Sequence, residues 1–198
     1  MVTAILLAAG SSRRMGSPNK LLLPWNGKPM IVSTAENILA AGIDELILVT
    51  GHEAGAITAA VSSLPIRIIH NPHYAAGMTG SIQTGAGIAN GEGYMICLAD
   101  MTLITAPEYI LLKTAFEQRY RQDIQCIILP EYQGQKGNPI IFSSSYREAI
   151  LHHPEEDGCK TLVRGHPGHH HRVPMPTAHI LQDIDSPEDY DRLIPGKS

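Results

Sequence analysis

Short apolar runs alternate with amphipathic stretches along the first two-thirds of the chain, and no other feature narrows the possible folds so much. The runs Ala4 to Ala8, Glu45 to Thr50, Ile66 to His70, Tyr94 to Leu98 and Gln125 to Leu129 are bounded and lack polar alternation, which suits strands buried on both faces. Between them the spacing predicts helices. Pro29 fits a first helical position, Ile31, Ala35, Ile38 and Leu39 form one apolar stripe, and Gly42 stops it. Thr105 fits an N-cap with Pro107 in the first turn, and Tyr109, Leu112, Phe116 and Tyr120 then share a face. Further helices are predicted from about Glu53 to Ser63 and from Met78 to Asn90. Such a βαβα rhythm implies an α/β fold, a mostly parallel Rossmann-like sheet with helices on both faces and right-handed crossovers.

After Leu129 the rhythm changes. Pro130 to Asn138 is turn-rich, Pro139 to Phe142 reads as a short strand, and helices are predicted over Tyr146 to Leu151 and Glu155 to Arg164. Asp183, Ile184 and Asp185 read as a strand end, and Ser186, Pro187 and Glu188 as a helix start.

A chain of 198 residues is the size of one domain, expected here to span 1–198. With 43% hydrophobic and 17% charged residues it has the composition of a globular protein able to build its own core. Its 15 Lys and Arg against 19 Asp and Glu leave a net charge of -4, which excludes the basic surface of a non-specific nucleic-acid binder. Any anionic ligand must therefore be met by local groups. Three cysteines without a CxxC argue for a reducing compartment. The apolar run Val2 to Ala9 is too short for a signal peptide, with Arg13 and Arg14 after it rather than before, and no segment has the roughly 18 apolar residues of a membrane span. The expected location is the cytoplasm, with no membrane partner.

Chemistry concentrates where strands end. Leu7, Ala8, Ala9 and Gly10 close the first strand with small residues that let a ligand approach the backbone, and Arg13, Arg14 and Lys20 follow. This is neither a Walker A loop nor G-x-G-x-x-G. On composition alone it reads equally as a polyphosphate cradle or as a tight turn with a solvated basic face. Asp100 directly follows the apolar run Tyr94 to Leu98, where open α/β sheets bind ligands and where a hard Mg²⁺ finds the oxygen donors it prefers. A capping or turn role is the alternative. Asp183 and Asp185 present the same choice.

The run Leu6-Leu7-Ala8-Ala9-Gly10-Ser11-Ser12-Arg13-Arg14-Met15-Gly16, with Lys20 beyond it, resembles the nucleotide-binding signature of the MobA-like nucleotidyltransferases, and among them the molybdenum cofactor cytidylyltransferase branch. Asn71-Pro72 with Gly77, Met78 and Ser81, then Ala99-Asp100-Met101, Gly137-Asn138-Pro139 and Asp185 to Asp189 extend the resemblance in order over nearly the whole chain. It implies a GT-A-like nucleotidyltransferase fold. It also implies a Mg²⁺-dependent enzyme, with Mn²⁺ as a substitute, that moves CMP from CTP to the phosphate of a molybdopterin-type cofactor. By the same resemblance Leu7, Ala8, Ala9 and Gly10 would meet base and sugar, Arg14 and Lys20 the phosphates with help from Arg13, and Asn71 and Ser81 would line the nucleotide pocket. Asp100 and Asp185 would hold the metal, Asn138 the acceptor side, and Arg14, Lys20 and Asp100 would carry catalysis. A molybdenum hydroxylase or its maturation factor is the implied protein partner. Guanylyl-transferring relatives read Leu-Ala-Gly-Gly, so the methyl of Ala9 implies a preference for CTP over GTP.

Departures from the pattern cluster on the acceptor half. Thr102 stands where many relatives have proline, Lys136 where they have arginine, and Glu156 to Lys160 replaces a Gly-Asp-x-Gly-Ala-Arg type segment. A different acceptor, a sugar or alcohol phosphate, stays open, as does a non-catalytic protein that delivers nucleotide or cofactor. Other conspicuous residues read as structural: Cys97 as core, His169 to His171 as a solvated loop, and Trp25 to Lys28 as a surface turn.

Overall fold

The computed structural model describes residues 1–10, 19–154 and 156–194 of the chain; Arg13 and Arg14 lie outside them. The first half contains β1 (Val2–Ala8), β2 (Pro24–Trp25), β3 (Lys28–Pro29), α1 (Met30–Ala40), β4 (Glu45–Thr50), α2 (Ala54–Ala60), β5 (Arg67–His70), α3 (Met78–Ile88) and β6 (Gly93–Leu98). The second contains α4 (Ala106–Tyr120), β7 (Ile127–Tyr132), β8 (Gln135–Lys136), β9 (Ile140–Ser143), α5 (Arg147–Leu151), α6 (Lys160–Gly165), β10 (His170–Pro174) and α7 (Pro187–Leu193).

The main sheet runs β10-β7-β9-β6-β1-β4-β5, with β8 added to β7. β5, β4, β1 and β6 pair in parallel, β10 pairs parallel to β7, and β9 alone in that row runs against both its neighbours. From β1 the chain builds outward through β4 to β5, then returns past β1 to place β6 on its other side. That reversal opens a crevice at the carboxyl ends of β1 and β6, the position at which open α/β sheets bind ligands.

Alternation of side chains splits the core into two layers. Ala4, Leu6, Leu48, Met95 and Cys97 point into one layer, covered by α1, α2 and α4, while Ile5, Ile47, Val49, Tyr94 and Ile96 point into the other, covered by α3, α5 and α6. Both faces of the central strands are therefore apolar, which explains why their sequences show no alternation. Gly85 brings α3 close to the sheet: a Cβ there would lie 2.4 Å from Cγ2 of Ile5 and 3.1 Å from Cγ2 of Val49. Cys97 lies wholly inside the first layer, where burial holds its thiol protonated, as a core residue should be.

Several elements differ from the sequence expectation. Pro29 caps α1 instead of occupying its first turn. The strand expected to end at Leu129 continues to Tyr132 and turns back into β8. The His-rich stretch is only partly loop, since His170 and His171 begin β10. Asp183 to Asp185 forms no strand: among the described residues Ile184 makes a single backbone bond there, to the Asp100 carbonyl at 3.1 Å, and no ladder. Of the helix expected over Glu155 to Arg164, residues 156–159 are not helical and α6 forms from Lys160, while Glu155 lies outside the described residues. Asn26 and Gly27 make the tight turn with positive φ angles of 52° and 80°, but Trp25 is 3% exposed and packs beneath it.

Glu108 fastens the end of the chain to this frame. Its carboxylate accepts from the backbone N–H and hydroxyl of Thr105, both at 2.8 Å, which closes the N-terminus of α4. It also accepts from the Thr177 hydroxyl at 2.6 Å and contacts His179 Nδ1 at 3.0 Å. Burial works against its charge, but the bonds from Thr177, His179 and Thr105 outweigh this and hold its pKa below the ordinary value. The stabilisation is therefore complete above the unfolded glutamate pKa and is lost as pH falls through the lower folded one. Glu108→Gln is expected to lower stability at pH 7 by about 1.5–3 kcal/mol and to flatten the decline of Tm between pH 5 and 3. Melting curves across that range check it, and an unchanged slope would refute it.

Candidate active site

Lys20 sits in a single 3-10 turn, Lys20–Leu22, that Asn19 caps: its Oδ1 accepts from Leu21 N–H at 3.1 Å and its carbonyl from Leu22 N–H at 3.0 Å. The turn places the lysine side chain at the crevice, where the residue is only 9% exposed. Its Nζ lies 2.7 Å from Oδ2 of Asp100 and 2.7 Å from Oδ1 of Asp185. Burial works against its charge, yet the two carboxylates outweigh burial and raise its pKa above the ordinary lysine value. Lys20 is thus a fixed positive charge at neutral pH and no general base.

Asp100 follows β6 on the turn Ala99-Asp100-Met101-Thr102. Buried hydroxyls hold this turn: Thr34 Oγ1 lies 3.1 Å from the Ala99 carbonyl and 3.1 Å from Thr102 Oγ1, so the two protons can satisfy both links. Thr102 ties down the turn through its link to Thr34. The Asp100 carbonyl accepts from Ile184 N–H, and this bond brings Asp185 across from the chain's far end. Asp183 also faces the site. Partial desolvation, then the charges of Asp185 and Asp100, raise its pKa.

Around this cluster lies a cavity of about 850 Å³ that Leu7, Ala9, Gly10, Lys20, Asp100 and Asp185 help to line, a volume typical of small-molecule sites. Ser81 lines it too. Asn71 stands behind Ser81, donating from Nδ2 to its hydroxyl at 3.0 Å while accepting His73 N–H at 2.9 Å. Ala8 packs into the core beneath the cavity. The carbonyls of Leu7 and Ala9 are taken by the N–H groups of Ala99 and His52, both at 3.2 Å. Asn138 lines a smaller, neighbouring cavity of about 190 Å³ with Lys136 and Met101, and Leu98 and Asp183 border both spaces. The structure therefore gathers Leu7, Ala9, Gly10, Lys20, Ser81, Asp100 and Asp185, with Asn71 behind and Asn138 next door. His52 and Tyr74 also line the main cavity; the strand-end rule applied to β4 would have found His52.

The donors fit a hard divalent cation. Oδ1 of Asp100 is buried and has no hydrogen-bond partner among the described residues, and the Asp185 carboxylate shares the same lysine. No group of three or more His, Cys, Asp or Glu among the described residues could hold a metal. Two carboxylates completed by water and phosphate oxygens are the arrangement that Mg²⁺ favours. No helix among the described residues is long and apolar enough to cross a membrane.

Comparison with known proteins finds relatives along nearly the whole chain. The MobA-like NTP transferase domain matches residues 4–173. Molybdenum cofactor cytidylyltransferase of Escherichia coli (strain K12) is 28% identical over 190 residues, covering 96% of this chain and 93% of that protein. Nicotine blue oxidoreductase of Paenarthrobacter nicotinovorans is 26% identical over 197 residues, covering 98% and 96%. The structure of a nucleotidyl transferase from Methanothermobacter thermautotroptrophicus superposes with a TM-score of 0.82 at 24% identity, covering 98% of this chain and 96% of that one.

Proposed function

Since the chain belongs to the family of the MobA-like NTP transferase domain, we propose that it transfers CMP from CTP to the terminal phosphate of a molybdopterin-type cofactor and releases pyrophosphate. The observation that carries this reading is the meeting of Lys20, Asp100 and Asp185 in a cavity at the β1/β6 crevice. In the reaction an acceptor phosphate oxygen bonds to the α-phosphorus of CTP while the bond from that phosphorus to the bridging oxygen breaks. The acceptor is already anionic, so no strong base is needed, and catalysis reduces to in-line positioning and charge neutralisation.

Lys20 supplies a permanent positive charge to the phosphates. Asp100 and Asp185 would hold Mg²⁺ or Mn²⁺, which when bound neutralises phosphate charge. Leu7, Ala8, Ala9 and Gly10 would form the backbone bed for base and sugar, Ser81 an adjoining polar wall kept in place by Asn71, and the Ala9 methyl would disfavour a purine. Arg13 and Arg14 are assigned to the phosphates from the sequence motif. Asn138 and Lys136 would face the acceptor, which enters through the smaller cavity. We assign residues 1–198 to one domain working in the cytoplasm, with delivery to a molybdenum hydroxylase or its maturation factor.

The cytidylyltransferase relative supports CTP and this acceptor, but the oxidoreductase relative spans the chain equally well. Pyrophosphate is therefore the discriminating readout. Each NTP should be offered with Mg²⁺ and with molybdopterin cofactor, sugar phosphates or alcohol phosphates. The expected result is pyrophosphate release with CTP and molybdopterin cofactor, and much less with GTP. Release with a sugar phosphate instead would reassign the acceptor, and CTP binding without release from any pair would point to a delivery protein.

A further inference from the structure

The main cavity has two chemically different ends. Its charged end lies at the carboxyl terminus of β6, where Lys20, Asp100 and Asp185 meet. β1 separates β6 from β4, so the end beyond β4 lies about 10 Å across the sheet, and there His52 and Tyr74 contribute to the lining. The His52 and Tyr74 rings stand 6.1 Å apart, centroid to centroid, with their planes inclined at 49°. The smaller cavity, with Lys136 and Asn138, opens beside the charged end, away from this pair.

Three backbone features seat the two rings. His52 N–H donates to the Ala9 carbonyl at 3.2 Å. Glu53 takes a left-handed conformation, φ 51°, and turns the chain away into α2 directly after His52. Gly51 leaves room for Tyr74, since a Cβ on it would fall 2.5 Å from Tyr74 Cβ and 2.8 Å from the methyl of Ala9. The Tyr74 side chain therefore packs on the strand end beside the residue expected to bed the base. An aromatic pair in the cavity wall suits a flat ring, whose faces gain from aromatic contacts.

We propose that His52 and Tyr74 form the wall against which the nucleobase packs, a binding contact that rests on the nucleotidyl-transfer reading above. With the phosphates at Lys20 and the acceptor entering by way of Asn138, the base takes the aromatic end.

Calorimetry with CTP, CMP, cytidine and inorganic pyrophosphate, each with Mg²⁺, tests it on the full chain. Tyr74→Ala and His52→Ala should weaken CTP and CMP about 5- to 30-fold, within the range that base–aromatic contacts reach, and leave pyrophosphate within twofold. Tyr74→Phe keeps the ring and should bind CTP as the wild type does. Equal losses for CTP and pyrophosphate would show that the rings only support the fold, and unchanged affinity for both would place the base elsewhere; either overturns the proposal. Wild-type protein that binds neither ligand would instead overturn the nucleotidyl-transfer reading itself.

Discussion

Asp100→Ala is expected to abolish nearly all pyrophosphate release while the protein stays folded. Asp100 is the one carboxylate at the β6 end whose second oxygen is buried without a hydrogen-bond partner among the described residues, so it has unused capacity for a cation. Removing a ligand that fixes the metal's charge on the phosphates should cost several kcal/mol of transition-state stabilisation, and each 1.36 kcal/mol is tenfold in rate. A fall of about 10²- to 10³-fold in kcat/KM follows. The backbone bond from Ile184 to the Asp100 carbonyl survives the substitution, and Lys20 keeps its contact with Asp185, so Tm should fall little. Asp185→Ala should be comparable or milder. Measuring kcat/KM for pyrophosphate release beside a melting curve decides the matter: a folded Asp100→Ala protein with near-normal turnover would remove Asp100 from the metal site.

What could be read in the sequence follows from how locally each feature is encoded. β1, β4 and β6 were legible because strands buried on both faces must be apolar throughout, and three such runs separated by helical spacing admit few other arrangements. β10 was not, because a strand at the sheet edge owes its existence to pairing with β7: of its five residues only Val173 is buried, and its histidines and arginine look like loop. Asp183 to Asp185 misled in the opposite direction. An apolar residue between two polar ones mimics strand alternation, yet Ile184 merely fills the core beside Asp100. In the site, Asp100 and Lys20 were legible from a strand end and a motif. Their junction with Asp185, 165 residues from Lys20, is set by the Glu108 anchor and the Ile184 bond, which no local spacing reports. His52 stands just past the end of β4, where the strand-end rule would have pointed to it, but its pairing with Tyr74 was not legible, because their proximity depends on Gly51 having no side chain.

Lys20→Ala should separate the phosphates from the rest of the nucleotide. The ammonium stands 2.7 Å from each of two carboxylates whose side chains are 20% and 25% exposed, so the residue belongs to the charged end of the cavity. Burial opposes its charge and the carboxylates override this to raise its pKa. Its contribution to stability is therefore fully present below the ordinary lysine value of 10.5 and is lost only as pH rises through the higher folded value. Activity between pH 6 and 9 should show no inflection from Lys20. A charge-assisted contact to phosphate contributes about 1.5–3 kcal/mol, so loss of Lys20 should weaken CTP about 10- to 150-fold and CMP far less, because CMP lacks the β and γ groups. Lys20→Arg should rescue only in part, since a planar fork cannot replace a compact charge held between two carboxylates. Titration of CTP and CMP into both variants is the check. Equal weakening of the two nucleotides would move Lys20 away from the β and γ phosphates and leave it as a counter-charge to Asp100 and Asp185.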